Sequence, residues 1–172
     1  YTSTWSYDQY ADGSACAKGI GKLCESATTN GIGKKIVYDS YGRPINSRAT
    51  VTSGPSFATA LSYDTTTGRV STQTYPTGLQ VSYSYTARGY LEKLKLNTGA
   101  TVNPLPATPG GTAGSSATLA AGTVLWQAQT VNAWGKTEQQ LYGNNIIAKA
   151  AFEAATGRTT DLTAGPGTAT SV

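Results

Sequence analysis

Catalysis needs nucleophiles, acids, bases or metal ligands within reach of one another, and this sequence offers few. It has no His, two Cys and nine carboxylates in 172 residues. Without imidazole, the His-based triads and His-containing zinc sites are excluded. A glycosidase would need two carboxylates facing each other about 5 to 10 Å apart. Asp39, Asp64 and Glu153 belong to turn-like phrases and Glu92 lies beside Lys93 and Lys95, which leaves Asp8, Asp12 and Glu25 as the one cluster in the sequence. That cluster reads as loop solvation near the cysteines, with a catalytic or metal role as the minor alternative. Gly19-Ile20-Gly21-Lys22 and Gly31-Ile32-Gly33-Lys34 lack P-loop spacing and a Ser or Thr after the Lys. Both read as hairpin turns, so no catalytic residue, cofactor or metal ligand is expected.

Seven residues, two of them Gly, separate Cys16 from Cys24. Such a loop can fold back to bridging distance. A disulfide is expected ahead of two free thiols, and closing this loop would stabilise by about 2 to 3 kcal/mol. The bridge implies an oxidising, extracytoplasmic location. Trp126 and Trp134 are candidate sugar-stacking groups, although an aromatic in a sheet is more often core or turn cover. Net charge is +4, but the longest cationic run is Lys34-Lys35, which reads as solvated surface and not as a nucleic-acid stripe. No apolar stretch approaches the roughly 18 residues needed to cross a bilayer.

The elements that would carry these groups are strands. Charged residues are only 13%, and the 11 Tyr with abundant Thr and Val favour pleated, half-buried surfaces. A short phrase recurs: Tyr38-Asp39-Ser40-Tyr41-Gly42-Arg43, Tyr63-Asp64-Thr65-Thr66-Thr67-Gly68-Arg69 and Tyr85-Thr86-Ala87-Arg88-Gly89-Tyr90. Looser copies are Asn132-Ala133-Trp134-Gly135-Lys136 and Phe152-Glu153-Ala154-Ala155-Thr156-Gly157-Arg158. Taking glycine as anchor, Gly21, Gly42, Gly68, Gly89, Gly135 and Gly157 are spaced 21, 26, 21, 46 and 22 residues apart. A fixed period sets the architecture. The long interval holds a Gly-, Pro-, Ser- and Thr-rich insertion at 97–122, expected to be a mobile loop in an array covering 1–172.

Between phrases the pattern is strand, turn, strand. Leu79, Val81, Tyr83 and Tyr85 alternate with Gln80, Ser82 and Ser84, the period-two pattern of a strand with one wet face. Pro76-Thr77-Gly78 supplies the turn before it. Ile146 to Ala155 is rich in helix formers, yet the repeat register predicts a strand there. The expected fold is all-β, a meander of antiparallel hairpins.

Each phrase residue has a structural task. The anchor glycine tolerates φ > 0, and Asp39 and Asp64 can accept hydrogen bonds from amides two residues on. The aromatics Tyr38, Tyr63, Tyr85 and Phe152 would cover the turn with their rings. Arg43, Arg69 and Arg158 open the outgoing strands, where a guanidinium can bridge to carboxylates or carbonyls of a neighbouring repeat.

The Tyr-Asp-x-x-Gly-Arg phrase at this period, with Tyr75 to Tyr85 between phrases, resembles the YD repeats of bacterial RHS proteins, related to the C component of Tc toxins and to teneurins. The likeness covers roughly residues 7–165, and Cys16 to Cys24 looks like a cysteine-bearing variant repeat. Thr86 and Tyr90 depart from the Asp and Arg of the pattern, and Asn132-Ala133 has no Tyr-Asp. The resemblance implies a sheet that curves or spirals into a hollow shell, often around a toxic C-terminal polypeptide. It makes the chain a piece of a longer bacterial protein, extracellular or at the cell surface. Its partners would be neighbouring repeats of the same parent chain, an enclosed toxin domain or copies of itself in a fibre. Self-cleavage, known in the family, is carried over to no residue. A carbohydrate or cell-surface glycan-binding module is the alternative.

Overall fold

The structure, a computed structural model, describes residues 1–102 and 116–166, and those residues contain strands and turns without a helix. The chain divides into two compact units, Tyr1–Gln80 and Val81–Val172. In the first, β1 (Ser3–Tyr7), β2 (Leu23–Thr28), β3 (Ile32–Tyr38), β4 (Pro44–Val51), β5 (Ser56–Tyr63) and β6 (Val70–Thr74) each pair antiparallel with the next. In the second, β7 (Gln80–Tyr85), β8 (Leu91–Leu96), β11 (Val124–Val131), β12 (Thr137–Tyr142), β13 (Ile146–Phe152) and β14 (Thr159–Pro166) do the same in that order. Each unit is a meander of antiparallel hairpins.

Only the ends of the insertion at 97–122 are among the described residues. Its described ends, β9 (Ala100–Val102) and β10 (Ala117–Leu119), pair in a separate two-stranded ladder. At its base the Leu96 amide donates to the Thr123 carbonyl (2.9 Å) and the Gly122 amide to the Leu96 carbonyl (2.7 Å). Residues 103–115, the middle of the expected loop, lie outside the described residues.

Ile146 to Phe152 forms β13, as the repeat register predicts. Its seven backbone pairings with β14 outweigh the helix preference of a few alanines. Propensity differences of tenths of a kcal/mol per residue cannot compete with a ladder closed on both sides.

The sheets have little interior. Among the described residues, the buried apolar side chains are Cys16, Cys24, Val81 and Leu96. Side chains elsewhere are half-buried or exposed, because each unit's meander is a single layer. Packing therefore cannot be the main source of order, and the hairpin turns carry more of it.

Candidate functional site

Each turn is built the same way. The residue that follows the incoming strand donates its amide to the carbonyl of the residue after the glycine: Asp39 to Arg43 (2.9 Å), Asp64 to Arg69 (2.8 Å), Thr86 to Tyr90 (2.8 Å), Asn132 to Lys136 (2.9 Å) and Glu153 to Arg158 (2.8 Å). The glycines all have positive φ, from +67° at Gly157 to +89° at Gly89. A side-chain oxygen then ties the far end. Asp39 Oδ1 accepts from the amides of Tyr41 (2.9 Å) and Arg43 (2.8 Å). Thr86 Oγ1 accepts from Tyr90 and Asn132 Oδ1 from Lys136, so the departures from Asp keep the acceptor.

A sixth turn of this kind joins β1 to β2; the glycine spacing marks its anchor Gly21, but the sequence does not show that Tyr7-Asp8 is its other half. Asp8 donates its amide to the Lys22 carbonyl (3.2 Å), and Asp8 Oδ1 accepts from the Gly21 amide (2.6 Å). Tyr7-Asp8 and Gly21-Lys22 are thus one phrase, split by residues 9–20. The sheet register marks it too: pairing shifts at Tyr7 as it does at Tyr38, Tyr63, Tyr85, Val131 and Phe152. Such bulges twist a strand end and re-aim the side chain there.

The phrases are joined to one another by a repeated contact. Arg43 donates to the Gly68 carbonyl (3.2 Å) of the next turn, and its guanidinium lies 4.1 Å from the ring centroid of Tyr63. Lys136 donates to the Gly157 carbonyl, and its Nζ lies 5.0 Å from the ring centroid of Phe152. Lys22 Nζ sits 5.5 Å from the Tyr38 ring, and a methyl group at Gly42 would fall 2.9 Å from Lys22 Cε. At Gly135 the covering residue is Tyr90, 2.6 Å from where a methyl would stand. In return, Tyr38 donates its hydroxyl to the Leu23 carbonyl and Tyr63 to the Pro44 carbonyl, both at 2.7 Å. Burial pushes both phenols up, so each stays a protonated donor.

Lys22, Arg43, Tyr90 and Lys136, each next after a turn glycine, therefore reach forward over Gly42, Gly68, Gly135 and Gly157, and Tyr38 and Tyr63 reach back. The sequence suggested ring cover of each turn, but these tyrosine hydroxyls serve the preceding repeat. Arg43 has a double role, because it also closes on Asp39 Oδ2 through Nε (2.8 Å) and Nη2 (2.7 Å).

The other sequence candidates fall outside this ladder or at its margins. Cys16 and Cys24 form a disulfide, both nearly or fully buried, over Gly19, where a methyl would meet both sulfurs at 2.5 Å. Lys35 bridges Asp12 and Glu25 at 3.5 Å each, and Glu25 Oε2 accepts from the Ala11 amide (2.9 Å). Those carboxylates hold the cysteine loop on the sheet. No group of acidic and cysteine side chains among the described residues is arranged to hold a metal ion. Trp126 donates its indole N–H to Gln140 Oε1 (2.8 Å), while the Trp134 ring lies against Gly157, where a methyl would stand 2.5 Å from it.

No protein-family model matches the chain, and no curated protein matches it in sequence. Solved structures do. The crystal structure of TcdB2-TccC3 aligns with 95% of this chain at a TM-score of 0.61 and 16% identity, and a TcdB2-TccC3-TEV structure with 96% at 0.61 and 16%. TcdB2-TccC3 without its hypervariable C-terminal region aligns with 85% at 0.57 and 17%. The chain spans only 7 to 8% of the length of those chains. The six-turn meander therefore has the fold of the RHS-repeat chains of a Tc toxin.

Proposed function

We propose that the chain is a non-catalytic wall segment of a secreted or cell-surface bacterial RHS/YD-repeat protein, whose sheet encloses a toxin domain supplied by the same parent. The observation that carries this reading is the turn ladder, in which the recurring Tyr, Asp, Gly and Arg or Lys residues engage one another from repeat to repeat. Side chains engaged in that way serve construction. The disulfide supports an oxidising compartment. Of the two candidate stacking rings of the glycan-binding alternative, Trp126 is half-buried and hydrogen-bonded to Gln140, and Trp134 covers Gly157 while remaining 52% exposed.

Electron microscopy of the parent protein, with limited proteolysis, tests the reading. The expected result is a continuous sheet wall around protease-protected density. Separate globular beads joined by cleavable linkers would refute it, and a solid unclosed fibre would remove the enclosed domain.

A further inference from the structure

The turns after β3 and β5 leave a groove of about 480 Å³ between them, lined by Tyr41, Arg43, Thr65, Thr66, Thr67 and Gly68. Ligand clefts generally measure roughly 300 to 1,000 Å³. β3, β4 and β5 each pair on both sides, so the groove owes nothing to an outermost edge. Tyr41 forms one wall. Its amide serves the turn by donating to Asp39 Oδ1, but its side chain is 82% exposed. The Arg43 guanidinium lies 4.9 Å from its ring centroid and is itself held by Asp39 (2.7 Å) and the Gly68 carbonyl (3.2 Å). The ring thus rests on a fixed cation and turns its other face to solvent. Three threonines form the opposite wall, in a turn with one residue more between Asp and Gly than the turn of Tyr41. Thr67 donates its hydroxyl to Asp64 Oδ1 (2.7 Å), whereas the hydroxyls of Thr65 and Thr66 are exposed and have no hydrogen-bond partner among the described residues. The groove between the turns after β7 and β11 differs. There Arg88 takes the place of Tyr41 and Tyr90 that of Arg43, the Tyr90 ring covers Gly135, and Val131 and Asn132 replace the threonines.

We propose that the groove at Tyr41 binds a neutral saccharide, with one sugar ring stacked on the exposed face of the tyrosine. The C–H face of a sugar ring is apolar and suits an aromatic face. Its hydroxyls both donate and accept, which suits the hydroxyls of Thr65 and Thr66 and the N–H groups of Arg43 Nη1 and Nη2 that its own contacts leave over. Arg43 is the one charged residue of the lining and is ion-paired with Asp39, so the groove favours an uncharged ligand over an acidic one. Because Arg43 already holds the ring in place, binding need not order it. This inference goes beyond the wall-segment reading, which leaves the side chains of Tyr41, Thr65 and Thr66 without a task.

Saturation-transfer NMR of the full chain titrated with cellotetraose, chitotetraose and mannotetraose tests it. At least one of the three should bind, and Tyr41→Ala should weaken that binding about tenfold or more. Tyr41→Trp should retain it. Thr65→Val with Thr66→Val should weaken it about threefold or more, and these hydroxyls hold nothing inside the chain. The turn uses the amide of residue 41 and not its ring, so the urea midpoint of Tyr41→Ala should stay close to that of the wild type. Absence of binding by all three probes overturns the proposal. So does binding that Tyr41→Ala leaves intact, or binding lost instead in Trp134→Ala. Capture of heparin in place of the neutral probes, released by high salt, would assign the groove to polyanions and overturn it as well. A continuous wall in the parent protein with no probe bound refutes the groove and leaves the wall reading standing. Bead-like parent particles that bind a probe through Tyr41 would do the reverse.

Discussion

Asp39 organises its turn with both carboxylate oxygens. Burial pushes its carboxyl upward, but the amide and guanidinium of Arg43 and the amide of Tyr41 outweigh this and hold it below the ordinary carboxylate range. The amide and hydroxyl of Thr67 do the same for Asp64, and Ser14 for Asp12. A carboxyl depressed in the folded state stabilises fully above its ordinary pKa, and the contribution drains away as pH falls through the folded value. Stability should therefore drop below about pH 4. Asp39→Asn with Asp64→Asn should flatten that drop while lowering the midpoint at neutral pH. Urea melts from neutral to acid pH check this, and a double variant that tracks the wild type would contradict it. Glycine offers a cleaner contrast. Gly78 and Gly157 have φ +84° and +67°, but only Gly157 has a ring and a lysine where its methyl would go. Gly78→Ala should cost about 1 to 2 kcal/mol from φ alone. Gly157→Ala should cost more, because Trp134 must move. Equal urea midpoints for the two variants would mean that the ladder does not press on its glycines. The turn chemistry was legible in the sequence, since positive φ and amide capping are local properties of Gly and Asp. The forward reach of Arg43 onto Gly68 was suggested only as a bridge to a neighbouring repeat, because its partner lies 25 residues away and only strand register decides which carbonyl it meets.

At the scale of elements, the strands were legible wherever polar and apolar residues alternate, and β13 was legible only through the repeat. The first hairpin was not. Between Asp39 and Gly42 lie two residues, but twelve separate Asp8 from Gly21, so the period that marks Gly21 as an anchor does not join Tyr7-Asp8 to it. What makes Tyr7-Asp8 a phrase is the closing hydrogen bond to Lys22, a tertiary fact. The excursion is held by the disulfide and by Lys35 between Asp12 and Glu25. Cys24 lies in β2 and is fully buried, so the bridge anchors the loop to the sheet where it has the least core of its own. Removing it as Cys16→Ser with Cys24→Ser should cost about 2 to 3 kcal/mol on the chain-entropy account. The change should raise amide exchange in β1, β2 and residues 9–20 while leaving β11 to β14 as they are. Uniform loss of protection across both units would show that the loop is wired into the whole chain and not only into its own hairpin.

At the scale of the molecule, a repeat array gains stability joint by joint, and an insertion matters only if it interrupts one. Tyr90 covers Gly135 across the insertion as Lys136 covers Gly157 without one, so the ladder passes the base of 97–122 undisturbed. Leu96 is 2% exposed, and its amide and carbonyl both bond to the returning strand at Thr123 and Gly122. That pair already has the form of a closed hairpin end. Deleting residues 98–121 leaves Leu96-Asn97-Gly122-Thr123, which presents Asn-Gly at a two-residue turn, the pair best suited to the positive φ such a turn needs. Gly122 already has φ +84°. The shortened chain should keep its strand signal in far-ultraviolet circular dichroism. Its urea midpoint should be unchanged or higher, because closing a two-residue turn costs about 2 kcal/mol less chain entropy than closing one of about 26 residues. Loss of the strand signal, or a midpoint well below that of the full chain, would mean that β9 and β10 hold the array together. Retention would make 97–122 a separable decoration on a wall that stands without it.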